Sequence, residues 1–391
     1  MKPLVLSLAL VAAFQTGSKP QAGDVCPYCK NDPALMSAAG VVSHGPFALA
    51  DKDSAEIVAK LPTSQWIFLE TAHLRWASSL GDDAVDQRDK ERVAAELERL
   101  RAKLPAVPAK PKRLDPWLRL HLMALKGEEF YARFQALLRV TDADFPAERR
   151  ASGPYMGAGK FLGEKDKFEV VVHTTRDNHK RFTSSFSGVL VNDSFRWHFP
   201  GLHKLIVSVP AEDADLREDR WLWPHVVHNL AHVMFAAYKH FAYYPPVWMD
   251  EGLAVALEKE AHYESLTGEG EEGSLRDSKG PSDFGAAALK LVASDKAPRL
   301  AELSACHEFG ELGIDGIVSA WSMTRFLIDE HGDEYARLLA GIKGQLDDKG
   351  MQSGADLPGL QRRLFQELWG WSAADFDTAW RAWVKAPKAA K

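Results

Sequence analysis

The chain of 391 residues is long enough for two or three domains, or for one large domain with extensions. Its 46% hydrophobic and 26% charged residues are the balance of a soluble globular protein. A formal net charge of -6 offers no basic footprint, which excludes nucleic acid as an expected partner.

The N-terminus, Met-Lys-Pro followed by LVLSLALVAAF, has a short positive region and an apolar run too short to span a bilayer. It predicts a signal peptide over about residues 1–23 and an exported protein, secreted or held in the periplasm or cell envelope. No other transmembrane candidate follows. Cys26-Pro27-Tyr28-Cys29 opens the chain beyond it, in a Cys-containing segment over 24–63. Its four letters resemble a glutaredoxin redox pair, but no core strand precedes it. A local disulfide is the common outcome in an oxidising compartment, and a small metal knuckle completed by a residue such as His44 is the alternative. Cys306 is left over and reads as a buried small hydrophobe. Asn31-Asp32-Pro33 caps a short helix through Ala39, and Val41 to Phe47 reads as loop or edge structure. The segment has too few apolar residues to fold alone.

A helical extension is expected over 64–150. Its first run, Trp66 to Trp76, fits strand or helix periodicity, and its Glu70 and His73 are spaced as a second metal pair or as an interior His with a neighbour. Asp86 to Leu104 carries Val93, Leu97, Leu100 and Leu104 on one stripe, an amphipathic surface helix. A stiff Pro-rich linker over 105–116 leads to Trp117–Val140, a helix or helix pair that Gly127 divides. Residues 151–164 hold four Gly without a following Lys-Ser or Lys-Thr, so they read as a flexible connector and not a phosphate loop. Phe168 to Thr174 is β-branched and extended, Thr175 to Ser187 helical, and Phe195 to Phe199 and His203 to Val209 two further strands. Leu205 to Val209 is the candidate sheet edge.

The run from His225, with apolar Val226 to Phe235, predicts a largely buried helix in which His228 and His232 are four apart. At about 100° per residue both imidazoles share one face, roughly 6 Å apart along the axis, as two ligands of one ion require. Pro245 and Pro246 break the helix, and Trp248-Met249-Asp250-Glu251-Gly252-Leu253-Ala254 begins another. Glu251 follows His232 by nineteen residues, enough for a turn and a returning helix. This stretch resembles the gluzincin zinc metallopeptidase signature, the thermolysin and aminopeptidase type, with HNLAH in place of HExxH.

The resemblance implies a fold of α+β class. It has a small mixed sheet and metal-site helices over 165–265, a helical C-terminal lobe over 284–385, and the mostly helical N-terminal extension ahead of them. It implies zinc on His228, His232 and Glu251, and a cleft that aligns an extended peptide along the sheet edge. In such enzymes the Glu inside the first motif activates the attacking water. Here Asn229 stands at that position, and an amide cannot act as general base near neutral pH. His225, three before His228, and Asp250, beside Glu251, are weak candidates for a displaced base. Some relatives place an orienting carboxylate four positions after the Glu ligand, where this chain has Val255; Glu258 lies two turns on and is expected out of reach.

Three readings follow. The first is an exported metallopeptidase-like protein that holds zinc, is inactive or impaired in proteolysis, and binds a peptide or protein partner. The second is an active zinc hydrolase with a displaced base, and the third a structural module without metal. Thr267 to Asp283, rich in acids and Gly, reads as a mobile rim. Helical patterns return from Phe284 to Leu291, Ala320 to His331, Tyr335 to Ile342 and Leu360 to Leu368, and Ser372 with Asp375 makes a capping box for the last helix.

Overall fold

A computed structural model describes residues 25–387 apart from 63, 200, 213 and 268–279. The signal-peptide reading, and most of the acidic stretch after Thr267, lie outside the described residues. Five strands form one mixed sheet: β1 (Ile67–Glu70), β2 (Leu74–Ser78), β3 (Phe168–His173), β4 (Phe195–Phe199) and β5 (Lys204–Pro210), in the order β1-β2-β3-β5-β4. The two inner pairings, β2 with β3 and β3 with β5, are parallel; the outer two are antiparallel.

The run from Trp66 to Trp76 therefore joins a hairpin and not a helical layer. Its side chains explain why the sequence was ambiguous. Ile67, Leu69 and Trp76 pack into the main core, while Phe68 and Ala77 face a second cluster on the opposite side. A strand buried on both faces reads as a continuous apolar run, with no polar alternation to reveal its period. The edge expectation is corrected too. Leu205 to Val209 lies between β3 and β4, and β4 is the outer strand.

The N-terminal segment reaches both faces of the sheet: its start, with α1 (Pro33–Ala38) capped by Asp32, packs into the main core, while residues 47–61, with α2 (Ser54–Lys60), cover the opposite face beside α5 (Arg176–Phe186). Phe47, Leu49 and Ile57 meet Phe182 and Phe186 there, and the Ala50 amide donates to buried Glu169 Oε2 at 2.7 Å. The other face receives α4 (Pro116–Leu138), which follows the amphipathic α3 (Lys90–Arg101). Gly127 does not divide α4. A Cβ there would stand 2.5 Å from Trp76 Cζ2, so glycine lets the helix lie directly on the sheet.

α6 (Asp219–Ala237) packs beside α4 and starts six residues before the expected helix, with Pro224 inside it. Its start is clamped to α4 by Arg119, whose Nε and Nη2 donate to the Asp219 carboxylate at 3.0 and 2.6 Å. The Gly-rich connector is anchored and not loose. Fully buried Glu164 accepts from the Phe241 amide and lies 3.0 Å from His240 Nδ1, while the Leu162 carbonyl accepts from the Lys239 amide at 2.6 Å.

After Pro245 and Pro246 the chain turns into α7 (Val247–Ala261), which lies against α6. The helical lobe follows: α8 (Phe284–Ala293), the short α9 (Leu300–Leu303), α10 (Gly313–Glu330), α11 (Gly332–Lys343), α12 (Leu357–Trp369) and α13 (Ala373–Lys385). The Ser372–Asp375 capping box is formed as expected. Cys306 is half-buried, outside the fully buried core. The architecture is a mixed sheet followed by a largely helical C-terminal half. No helix among the described residues is long and apolar enough to cross a membrane.

Candidate metal centre

His228 and His232 project from α6 and Glu251 from α7, and their ligand atoms lie within 4.8 Å of one another. All three are buried, with exposures of 0, 5 and 1%. The two Nε2 atoms are 3.0 Å apart, and Glu251 Oε2 is 3.9 Å from His228 Nε2 and 3.4 Å from His232 Nε2. Gly252 seats the carboxylate. A Cβ at 252 would stand 2.5 Å from Thr324 Oγ1 and 2.6 Å from the Ala320 carbonyl of α10, so only glycine lets α7 approach α10 this closely.

The surroundings decide where the imidazole protons sit. Glu258 Oε2 is 3.1 Å from His228 Nδ1, and its other oxygen accepts from the Thr267 amide and hydroxyl at 2.7 and 2.8 Å. His228 Nδ1–H therefore donates a hydrogen bond to Glu258 and its Nε2 faces the cluster. Asp250 Oδ2 lies 2.8 Å from His232 Nδ1. Neither oxygen of Glu251 meets a hydrogen-bond donor among the described residues. Two imidazole nitrogens and a buried carboxylate thus converge, and a cation fits that donor set.

Electrostatics point the same way. Burial, with Arg196 nearby, pushes His232 down to about 3, which keeps it in the neutral form that donates a lone pair. Burial raises Asp250 to about 7, against the pull of Arg196, His228 and Lys343.

The position after His228 is equally well determined. Asn229 Nδ2 donates to the His225 carbonyl at 2.9 Å, and its Oδ1 accepts from Arg196 Nη1, on β4, at 3.1 Å. The two displaced-base candidates, His225 and Asp250, have other neighbours. His225 has Nε2 2.6 Å from Ser194 Oγ and Nδ1 3.1 Å from Thr267 Oγ1, so both nitrogens are engaged. Asp250 stands behind His232, on its Nδ1 side. Glu70 and His73 do not pair. Glu70 meets Arg75 and Lys167, while His73 sits between Glu128 and Asp142.

Sequence reading missed Glu258, Arg196 and Thr267. Glu258 is expected out of reach, yet its place at the end of the apolar run, seven positions after Glu251 and so on nearly the same helix face, signals that it turns inward. Arg196 gave none, because the β4–α6 contact is tertiary. Thr267 was assigned to a mobile rim and is instead buried against Glu258. A second group, Glu164, His203 and His240, is less buried, and its carboxylate already has donors from Phe241 and His240. A third, Cys26, Cys29, His44 and His121, lies on other elements. No protein-family model matches the chain, and no curated protein matches it.

Proposed function

We propose that the chain is an exported, gluzincin-like zinc protein whose proteolytic activity is lost or strongly impaired, and that its cleft holds a peptide or protein partner. The observation that carries this reading is the convergence of His228, His232 and Glu251, all buried, with ligand atoms within 4.8 Å of one another. His228, His232 and Glu251 would hold the ion, with Glu258 orienting the His228 imidazole. Zinc, when bound, supplies Lewis-acid polarisation of a carbonyl.

The residue at the family's base position supplies no base for that chemistry. Asn229, held between Arg196 and the His225 carbonyl, has no carboxylate to take a proton. Arg196 also places β4, an outer strand, beside the cluster. An extended peptide adding to that edge would pass in front of the ion.

Elemental analysis of the purified protein and of His228→Ala, with a peptidase assay on both, tests the reading. The expected result is one zinc per chain more in the wild type than in the variant, and no hydrolysis by either. Robust chelator-sensitive hydrolysis by the wild type, or a folded wild type with no more zinc than the variant, would overturn it.

A further inference from the structure

The N-terminal cluster carries a second and independent assignment. Cys26 and Cys29 are buried free thiols on one turn, and each sulfur faces an imidazole: Cys26 Sγ is 3.1 Å from His121 Nε2, and Cys29 Sγ is 3.1 Å from His44 Nε2. All four ligand atoms lie within 4.8 Å of one another. A tetrahedral zinc with bonds of ~2.3 Å to sulfur and ~2.1 Å to nitrogen separates its ligand atoms by roughly 3.3 to 3.8 Å, so small side-chain shifts would admit the ion. We propose that Cys26, Cys29, His44 and His121 form a closed structural zinc site that staples the N-terminal segment to α4 and β1.

Three features support ligation over the alternatives. The amides of Tyr28 and Cys29 both point at Cys26 Sγ at 3.4 Å, as donors that stabilise a thiolate. His44 Nδ1 donates to the Phe68 carbonyl of β1 at 3.0 Å, which leaves Nε2 bare toward Cys29. Were the cysteines a disulfide, that lone pair would face a sulfur with no proton to offer. Trp117 packs edge-on to His44 with ring centroids 5.0 Å apart and excludes water from that side. No carboxylate belongs to the group, and two thiolates with two neutral imidazoles make a set that suits zinc. Four protein ligands leave no open position, so the site holds structure and performs no chemistry. Loading it releases the two thiol protons.

Cobalt separates this site from the His228 cluster, because only the N-terminal site offers thiolates. The purified protein, exchanged with cobalt(II), is expected to show a near-ultraviolet thiolate-to-cobalt charge-transfer band. His228→Ala keeps that band and loses one metal per chain. Cys26→Ser/Cys29→Ser loses the band and a different single metal, while the His228 site stays loaded. A folded, cobalt-loaded wild type without the band would overturn the assignment, as would a Cys26–Cys29 disulfide found by peptide mass mapping. Should the double variant not fold, the wild-type spectrum still decides.

Discussion

Three of the four groups in the N-terminal cluster come from turns and loops, with His121 of α4 the exception, whereas His228, His232 and Glu251 all stand on two packed helices. Nδ1 of His44 meets a backbone carbonyl, while the Nδ1 atoms of His228 and His232 lie beside carboxylates that raise ligand basicity. The first group has four ligands and closes on itself; the second has three and leaves a position open. The difference separates what a metal does for the fold from what the fold does for a metal. Around His228 the core fixes the ligands whether or not an ion is present. Around Cys26 the ion would fix a segment that has little core of its own.

The largest effect should come from breaking the turn-borne site. Cys26→Ser/Cys29→Ser is expected to cost several kcal/mol in urea denaturation, because binding energy at such a site is folding energy. An unchanged midpoint would make the N-terminal segment self-supporting and erase the contrast. At the helical site, Gly252→Ala forces a Cβ against Thr324 and the Ala320 carbonyl. It should cost about 1–3 kcal/mol by overpacking and lower the zinc affinity of the His228 site, as titration against a chelating dye would show. Retained affinity would mean that α7 shifts without moving Glu251.

Glu258→Gln is a finer cut. It should weaken zinc at the His228 site by about 10–100-fold in the same titration and leave the cobalt–thiolate band of the other site unchanged. Equal losses at both sites would show that the two are not independent.

The smallest effect concerns a histidine that binds no ion. Burial opposes charge on His73, but Glu128 and Asp142 outweigh it and raise its pKa. A raised folded-state pKa means that the stabilisation is fully present below the unfolded value of ~6.5 and is lost as pH rises through the folded value. His73→Ala should therefore cost about 1 kcal/mol below that range, and the cost should shrink above it in denaturation measured across pH. A cost independent of pH would assign it to the ring stacked 3.9 Å from Tyr131 instead.

The helix that carries His228 and His232 was legible because its signal is local. His228 and His232 share a face by spacing alone, and the two prolines announce the turn that brings Glu251 back. The capping of α1 and α13 was legible for the same reason. What the sequence hid depends on contacts between distant elements. The β1–β2 hairpin concealed its period by burying both faces. Arg196 reaches Asn229 across the β4–α6 contact, and His121 meets a cysteine 95 positions away. Gly127 looked like a break because its pressing neighbour, Trp76, belongs to the sheet.

That 95-residue span also sets an order in time. As the chain is made, Cys26, Cys29 and His44 emerge well before the helix that carries His121. During that interval the two thiols have no partner from α4. An ion arriving early would find three ligands and wait for the fourth; an oxidant arriving early would find a vicinal pair and close it. A zinc-bound and a disulfide-closed N-terminal segment would thus be alternative outcomes, set by whether ion or oxidant reaches the two thiols first.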